Sequence, residues 1–490
     1  TIPSASSREA AHFLAMLVLI LVTLRPLFDL SGGDFPIYLQ AQAFASFRLP
    51  IHVPEGASQL PTMLATAGGR YYSVFPPGSA LLLVPFYWLG HGIDEITGYG
   101  FGKQRIGGWA EGNGAILAVH LSSVVFFAGI LLSLRSLSQA LNAAPGVHIR
   151  AGWLLLLAAP FLYLGGHLET HYPSTLFVVL TYAAVFARAP SASWIAIAGV
   201  AAGTAFLVRP VNVLLCAPIG VYVLTRGTKR IQAAILFAAP VAVALLIGSL
   251  LNTAMFGNPL KTSYQTSLDF GPSGKQLRAI SGITGGFTTP LAEGLFGMTF
   301  GAVSELQRSE RGRERRMVLP TPWTPWERVR GFVLLMPVLL FAFPGFRQLW
   351  RSGRRGEVVC MAATLLVPLF VYAKWFYWYA NPHTPLASRY LSEGYPACCL
   401  AIAVYGDRAS GFGDRALRFA TSWSVMAHLL VVVATYVVFL FGVSILDAPA
   451  WQVASFLLGS SLAGMWLSTP SQRRAGRIGI DPEGFDNDTW

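Results

Sequence analysis

Long, unbroken apolar runs are the feature of this sequence that most restricts its fold. Runs of about twenty mostly apolar residues, the length that a transmembrane helix needs, recur along the chain. The apolar residues are continuous rather than alternating, which argues against a transmembrane β-barrel. Of the 490 residues, 54% are hydrophobic and only 12% are charged, so no stretch is polar enough to cover a soluble domain. The sequence therefore predicts an all-α polytopic membrane protein.

The apolar runs predict about twelve transmembrane helices, roughly 11 to 13. The candidate spans lie near residues 11–30, 114–137, 150–166, 172–188, 193–208, 211–226, 231–253, 331–346, 357–373, 390–406, 418–441 and 450–468. The run 80–89 is too short to cross the bilayer comfortably, and we interpret it as an interfacial or re-entrant helix. The first run could also be a signal peptide, but no small-residue cleavage site follows it, which favours a retained helix. We expect one transmembrane domain over residues 1–470 and a tail at 471–490.

The distribution of basic residues predicts the orientation in the membrane. Lys and Arg number 35 against 23 Asp and Glu, a formal net charge of +12. With the N-terminus inside, the cytoplasmic loops hold Arg8, Arg135, Arg150, Arg188, Arg226, Lys229, Arg230, Arg347, Arg351, Arg354, Arg355, Arg408, Arg415, Arg418, Arg473, Arg474 and Arg477. The short outer loops hold only Arg209, Lys374 and Arg389. Because cytoplasmic loops collect Lys and Arg, we expect both termini in the cytoplasm.

Two long outer segments, 31–113 and 254–330, interrupt the series of spans. Both are rich in Gly, Pro and aromatic residues, and loops of this length are usually functional. We expect both to carry interfacial helices. The second contains a mixed charge run, 305–316, which predicts a solvated helix or flexible segment, or else a cradle for anionic lipid headgroups.

Asp34 is the most conspicuous acidic residue, because it directly follows the first span and two glycines. A charge near the bilayer is costly unless it has a partner or a purpose. The structural interpretation is an N-cap for a following surface helix. The functional interpretation is a base that removes a proton from a hydroxyl at the lipid interface.

A second outer loop, residues 165–173, reads GGHLETHYP. On an extended segment His167, Glu169 and His171 would lie on one face, and such a group could bind a metal ion. Because no further ligand is indicated, we favour a carboxylate that positions the acceptor or the base. We assign no cofactor, and a divalent metal ion stays an alternative.

A third outer segment, residues 374–391, reads KWFYWYANPHTPLASRYL. Its aromatic residues suit either an interface belt or stacking against a sugar ring. Arg389 could donate paired hydrogen bonds to a phosphate. Lys374, His383 and Arg209 are further cations on the same side, although each taken singly is more often a snorkelling anchor.

These features, taken in order, resemble the GT-C superfamily of integral-membrane glycosyltransferases. This is the group of the protein O-mannosyltransferases and the aminoarabinose transferase of lipid A. The resemblance is carried by Asp34 just after the first helix, by the long first outer loop and by YYSVFPPGSALL at 71–82. The segments 252–260 and 388–391 are similar to bacterial members of unassigned specificity. Order and sidedness carry the resemblance, which covers most of the predicted membrane portion.

The resemblance implies a sugar donor linked to polyprenyl phosphate and an inverting transfer on the outer face. Asp34 would be the general base, and Glu169 stands where many members carry a second acidic residue, although histidines flank it here. Arg389, Lys374 and Arg209 would hold the donor phosphate, where fixed cations stabilise the developing charge. The residues assigned to sugar or acceptor binding are His167, His171, Tyr38, Tyr72, Trp378, Tyr390 and His383.

Other classes of membrane protein share this composition. A polysaccharide polymerase or ligase would also use lipid-linked glycans and a large outer loop. A flippase or transporter should line a central cavity with intramembrane charges or broken helices, whereas the charges here lie at the outer helix ends. We therefore expect a glycosyltransferase whose partners are a lipid-linked sugar donor, a lipid or glycan acceptor and membrane lipids, with no nucleic acid.

Overall fold

Helices account for most of the structure. The computed structural model describes residues 5–24, 33–55, 60–61, 64–106, 108–168, 170–187, 191–225, 229–263, 267–270, 276–277, 289–309, 312–324, 329, 331–374, 387–441, 457–458 and 461. The α-helices are α1 Ala5–Val22, α2 Asp34–Ala45, α3 Pro77–Ile96, α4 Asn113–Ala140, α5 Val147–Trp153, α6 Phe161–Leu164, α7 His171–Val185, α8 Ala192–Val208, α9 Val213–Thr225, α10 Arg230–Phe256, α11 Leu291–Phe300, α12 Phe332–Leu335, α13 Ala342–Arg351, α14 Arg355–Ala373, α15 Tyr395–Arg408 and α16 Gly411–Phe441.

Shorter elements complete the described chain. A π-helix spans Leu154–Ala158, and 3₁₀-helices span Pro210–Asn212, Pro337–Phe341 and Ala387–Gly394. The strands are β1 Leu64–Ala67, β2 Arg70–Ser73, β3 Lys103–Ile106, β4 Trp109–Gly112, β5 Ser267–Phe270, β6 Gln276–Leu277, β7 Ala302–Ser309 and β8 Gly312–Val318. They form a sheet of order β2-β1-β5-β6 and two separate hairpins, β3-β4 and β7-β8, with all pairings antiparallel.

Several helices have the length and composition of membrane spans. Within the described residues, 4 helices are long and apolar enough to cross a membrane, namely α4, α10, α14 and the portion Gly411–Val433 of α16. Shorter apolar helices cover Val147–Ala158, Ala192–Val208 and Pro210–Thr225. Most of the predicted span 450–468 lies outside the described residues. The predicted count of about twelve spans is therefore not confirmed.

Four of the predicted spans are not single α-helices over their described residues. The span predicted at 211–226 begins in the 3₁₀-helix Pro210–Asn212 before α9. The span predicted at 150–166 consists of α5, the π-helix and α6, with Pro160 at the break. The span predicted at 331–346 changes to a 3₁₀-helix at Pro337, and the span at 390–406 begins as a 3₁₀-helix before α15. Proline lacks a backbone N–H and interrupts the hydrogen-bond ladder, so a continuous apolar run does not guarantee a continuous helix.

The apolar run 80–89 belongs to α3, which has 20 residues. The short length expected from the apolar run is thus wrong. The helix continues through Gly90. A Cβ at this position would clash with the Gly114 carbonyl of α4, so glycine permits α3 and α4 to pack closely. One turn later the buried Asp94 accepts hydrogen bonds from the backbone N–H groups of Gly114 and Ala115 at 2.9 and 2.8 Å. Asp94 therefore caps α4 from a neighbouring helix.

The mixed charge run of the second outer segment lies in the β7-β8 hairpin. The register places Arg308 opposite Arg313 and Gln307 opposite Glu314. A solvated helix, one of the structures predicted from the sequence, is therefore wrong for the described part of this segment. A role in binding anionic headgroups stays a prediction.

Ion pairs tie together one end of the helical assembly. Glu9 at the start of α1 contacts Arg135 near the end of α4 at 3.1 Å and His148 of α5 at 3.0 Å. Arg150 of α5 pairs with Asp407 near the end of α15. The opposite ends of α1 and α4, together with the start of α7, carry the residues around Asp34.

Candidate active site

Asp34 is the first residue of α2, and Gly33 is the N-cap. A Cβ at Gly33 would lie 2.7 Å from the ring of Phe75, so glycine allows this ring to cover the start of the helix. Most of α2 is buried. The alternative interpretation of Asp34 as the N-cap of a surface helix is therefore wrong.

The Asp34 carboxylate is held by two donors from the outer loop that precedes α7. Its Oδ2 lies 3.0 Å from Nδ1 of His167, and its Oδ1 accepts a hydrogen bond of 2.9 Å from the backbone N–H of Leu168. Both side chains are partly buried, with 16% of Asp34 and 22% of His167 exposed. These contacts join two regions that are 133 residues apart in sequence. They fix the orientation of the carboxylate.

The other ring nitrogen of His167 is Nε2. Nε2 is buried and has no hydrogen-bond partner among the described residues. The imidazole ring packs on Tyr163 with 4.9 Å between ring centroids. Asp34 and His167 also interact electrostatically with the buried His120, whose Nδ1 lies 2.9 Å from the Ile116 carbonyl oxygen.

His167 and His171 do not share one face. The loop turns after α6 instead of running extended, and α7 begins at His171. Nδ1 of His171 lies 3.1 Å from Ser392 Oγ, whereas His167 contacts Asp34. The predicted common face of this motif is thus wrong for its two histidines, and Glu169 lies outside the described residues. Among the residues that the structure describes, no group of three His, Cys, Asp or Glu side chains could hold a metal ion.

Arg209 forms the centre of a buried polar cluster. Its guanidinium donates to Glu393 Oε1 at 2.6 Å and to the hydroxyl of Tyr372. Glu393 also accepts hydrogen bonds from Ser174 and Ser392. Arg209 and Glu393 are almost fully buried, with 5% and 0% of their side chains exposed. A charge-assisted pair of this kind is strong when the remaining lone pairs are satisfied, so Arg209 is committed to a partner inside the protein.

Arg389 lies on the same 3₁₀-helix as Glu393 and is mostly buried. Its guanidinium is 5.2 Å from the ring centroid of Tyr390. The Tyr390 ring lies 5.2 Å from that of Tyr372 and 6.1 Å from that of His171. Arg389, Tyr390 and His171 therefore belong to one neighbourhood, and the ion pair of Glu393 with Arg209 anchors the helix that carries Arg389.

The remaining predicted site residues have different positions. Lys374 is exposed at the end of α14, and its carbonyl oxygen accepts a 3.1 Å hydrogen bond from Thr289. Tyr72 is buried in a small cluster with Phe256, at 5.4 Å between ring centroids. Trp378 and His383 lie outside the described residues.

Tyr38 belongs to a buried network behind Asp34. Its hydroxyl donates to Glu111 Oε2 at 3.0 Å, and Gln42 donates to both Glu111 oxygens at 3.2 and 3.1 Å. Burial raises the pKa of the Glu111 carboxyl above its usual value, and the hydrogen bonds from Tyr38 and Gln42 oppose this shift. Burial also raises the pKa of Tyr38, with Glu111 adding to the effect. Because Tyr38 is one turn after Asp34, the network fixes the helix that carries the candidate base.

Sequence reasoning missed three buried carboxylates, Glu111, Glu393 and Asp94. Glu393 lies only four residues after Arg389, and Asp94 and Glu111 lie in the long first outer segment. Their one sequence signal was an acidic side chain in apolar surroundings, which is costly without a partner. The partners come from distant parts of the chain, so the sequence could not supply them.

No protein-family model matches the chain, and no curated protein matches it. Among solved structures, ArnT from Cupriavidus metallidurans bound to undecaprenyl phosphate is 14% identical, with 95% of this chain and 76% of ArnT covered and a TM-score of 0.48. The archaeal oligosaccharyltransferase AglB from Archaeoglobus fulgidus, in complex with an inhibitory peptide and a dolichol-phosphate, is 12% identical, with 94% and 55% covered and a TM-score of 0.46. Both TM-scores are below 0.5, so these neighbours assign neither a family nor a residue role to this chain.

Proposed function

We propose that this chain is a GT-C-type membrane glycosyltransferase. It transfers a sugar from a polyprenyl-phosphate donor to a lipid or polysaccharide acceptor on the outer face of the membrane, with inversion. The observation that carries the proposal is the Asp34 carboxylate at the start of α2, held through both oxygens by residues 167–168. A positioned carboxylate at the first residue of a buried helix suits a base that works at the lipid interface.

The proton of the acceptor hydroxyl is taken up at Asp34, either by the carboxylate itself or by a group that the carboxylate positions. Loss of the acceptor hydroxyl proton makes the oxygen nucleophilic, and this oxygen attacks the anomeric carbon from the side opposite the phosphate. Polyprenyl phosphate leaves as the new glycosidic bond forms. The two donors to Asp34 hold the carboxylate in one orientation, which reduces the reorganisation needed in the transition state.

The donor phosphate is held by Arg389, with Lys374 as the second cation. Arg389 is fixed near Tyr390 and His171, and Tyr390 offers an aromatic face beside the guanidinium. Fixed cations near a leaving phosphate stabilise charge that grows in the transition state. Arg209 is better assigned to positioning, because its guanidinium is paired with Glu393 on the helix of Arg389.

Replacement of Asp34 tests the function. Asp34→Asn should lower sugar transfer by at least about a hundredfold, because a general base contributes about 10²–10⁴-fold. The measurement is the incorporation of labelled sugar by purified protein from a panel of polyprenyl-phosphate donors. Asp414→Asn is the matched control, since Asp414 pairs with Arg418 on α16 outside the proposed site, and it should keep full activity. If Asp34→Asn retained most of the transfer activity, the proposed function would be wrong.

A further inference from the structure

The pairing of His167 with Asp34 determines which ring nitrogen carries the proton. A carboxylate oxygen that is ionised can only accept, so the nitrogen 3.0 Å from Asp34 Oδ2 is the donor. The neutral ring then carries its proton on Nδ1, and Nε2 holds the free lone pair. Leu168 donates its backbone N–H to the other carboxylate oxygen at 2.9 Å, so the carboxylate cannot easily turn away from His167.

The Nε2 atom of His167 is a buried acceptor that has no donor among the described residues. Buried polar atoms in folded proteins nearly always have a hydrogen-bond partner, and exceptions cluster where chemistry takes place. A neutral imidazole oriented by a carboxylate through Nδ1 is a well-suited proton acceptor at Nε2, because the carboxylate stabilises the imidazolium that forms. The missing donor is therefore what the hydroxyl of a sugar or lipid acceptor would provide.

We infer that His167 Nε2 accepts the proton of the acceptor hydroxyl and that Asp34 acts through His167. This inference rests on the proposed glycosyl transfer and identifies the atom that performs its proton step. The residue in direct contact with the acceptor is then a histidine, and Asp34 is a positioning residue that holds the imidazole and balances its charge.

The transfer breaks two bonds and forms two. The acceptor O–H bond breaks, its proton moves to Nε2, and its electron pair forms the bond from oxygen to the anomeric carbon. The bond between that carbon and the phosphate oxygen breaks, and its electron pair leaves with polyprenyl phosphate. The imidazolium then releases its proton to solvent or to the departing phosphate.

His167→Asn separates the two roles of the histidine. The asparagine amide N–H can take the place of Nδ1–H and donate to Asp34, but nothing replaces Nε2. If Nε2 accepts the proton, kcat for labelled-sugar transfer should fall at least about a hundredfold, with little change in KM for the polyprenyl-phosphate donor. If Asp34 accepts the proton directly, this variant should keep at least about a third of the wild-type kcat, and the inference would be overturned.

A second variant guards against misfolding. His167→Gly should be inactive, and added imidazole should raise its activity at least about tenfold by supplying the missing base. Absence of rescue in a protein with wild-type elution behaviour and melting temperature would contradict the inference. His148→Gln is the matched control, because His148 contacts Glu9 through Nε2 at 3.0 Å at the opposite end of α4, and it should transfer sugar normally. Retained activity in Asp34→Asn would instead contradict glycosyl transfer itself, so the two failures are distinguishable.

Discussion

At the scale of single residues, two arginines lie at or contact the 3₁₀-helix Ala387–Gly394. Arg209 is neutralised by Glu393 at 2.6 Å inside the protein, whereas Arg389 stands beside the Tyr390 ring on the same 3₁₀-helix as Glu393. Breaking a buried ion pair leaves one uncompensated charge and costs about 3–5 kcal/mol. Removal of either Arg209 or Glu393 should therefore destabilise the protein.

Arg389→Ala should weaken donor binding. A charge-assisted hydrogen bond contributes about 1.5–3 kcal/mol, so the KM or Kd for a polyprenyl-phosphate sugar should rise about ten- to hundredfold. Titration of the purified protein with donor checks this expectation. Arg415→Ala on α16 is the control, because this arginine is exposed and lies outside the proposed site. An unchanged donor affinity in Arg389→Ala would count against a phosphate role for Arg389. For Arg209→Ala we expect a lower melting temperature, because this change leaves Glu393 buried without its partner.

The site residues could be predicted from the sequence only one at a time. Asp34 was conspicuous because acidic residues are rare beside apolar spans, and His167 because two histidines flank Glu169 in a short loop. Their hydrogen bond was not predictable, because the partners are 133 residues apart. The pairing of Arg209 with Glu393 spans 184 residues, and no local pattern encodes a contact at that distance.

At the scale of elements, α2, α3 and β4 meet around the Glu111 carboxyl. Tyr38 and Gln42 of α2 donate to it, and Gln42 also donates to the hydroxyl of Tyr87 on α3 at 3.2 Å. Burial raises the pKa of Tyr87 to about 12, so this hydroxyl stays protonated. The network joins three elements of the first outer segment, whose stability should thus depend on the protonation of Glu111.

The stability of the protein should fall as pH rises through the raised pKa of Glu111. The pKa of this carboxyl in the folded state exceeds its usual value of 4.5, so the folded state binds the proton more tightly than the unfolded state. The stabilisation from Glu111 is complete below the unfolded pKa and is lost above the folded one. The test is a series of melting temperatures at pH values from 4.5 upward. As the pH rises, the melting temperature of the wild type should fall relative to that of Glu111→Gln. Glu95→Gln, at an exposed site on α3, is the control, and its melting temperature should keep a constant difference from wild type. A constant difference between wild type and Glu111→Gln would contradict the prediction.

Element boundaries were predicted well where apolar runs coincide with unbroken helices. The predicted span 231–253 lies within α10, and 357–373 lies within α14. The prediction was poorer for α3, because its C-terminal half contains Gly90, His91, Gly92 and Asp94, which lower the local hydropathy. Of these residues, Gly90 permits close packing on α4 and Asp94 caps α4, so hydropathy could not reveal the helix.

At the scale of the whole molecule, the two ends of the helical assembly differ in chemistry. One end has ion pairs such as Glu9 with Arg135 and Arg150 with Asp407. The other end has Asp34, His167 and the cluster of Arg209. From the positive-inside rule we predict that the first end faces the cytoplasm, and the proposed site would then lie on the outer side.

Single cysteines at the two ends test this orientation. Arg70→Cys in β2 should react with a membrane-impermeant maleimide in intact cells, whereas Ser352→Cys between α13 and α14 should react only after permeabilisation. Both positions are exposed in the structure. Background labelling should be low, because Cys360, Cys398 and Cys399 are buried and Cys216 is partly buried. The reverse pattern would invert the topology and move the proposed site to the cytoplasm.

The sequence by itself predicted a helical membrane protein and its sidedness. Apolar runs of bilayer length and the distribution of Arg and Lys are local, additive properties that reflect the solvent around each segment. The tertiary structure decided which side chains share a site, since Asp34 with His167, and Arg209 with Glu393, meet only after the helices have packed. A buried polar group requires a partner wherever the fold supplies one, and that requirement is satisfied in space rather than along the chain.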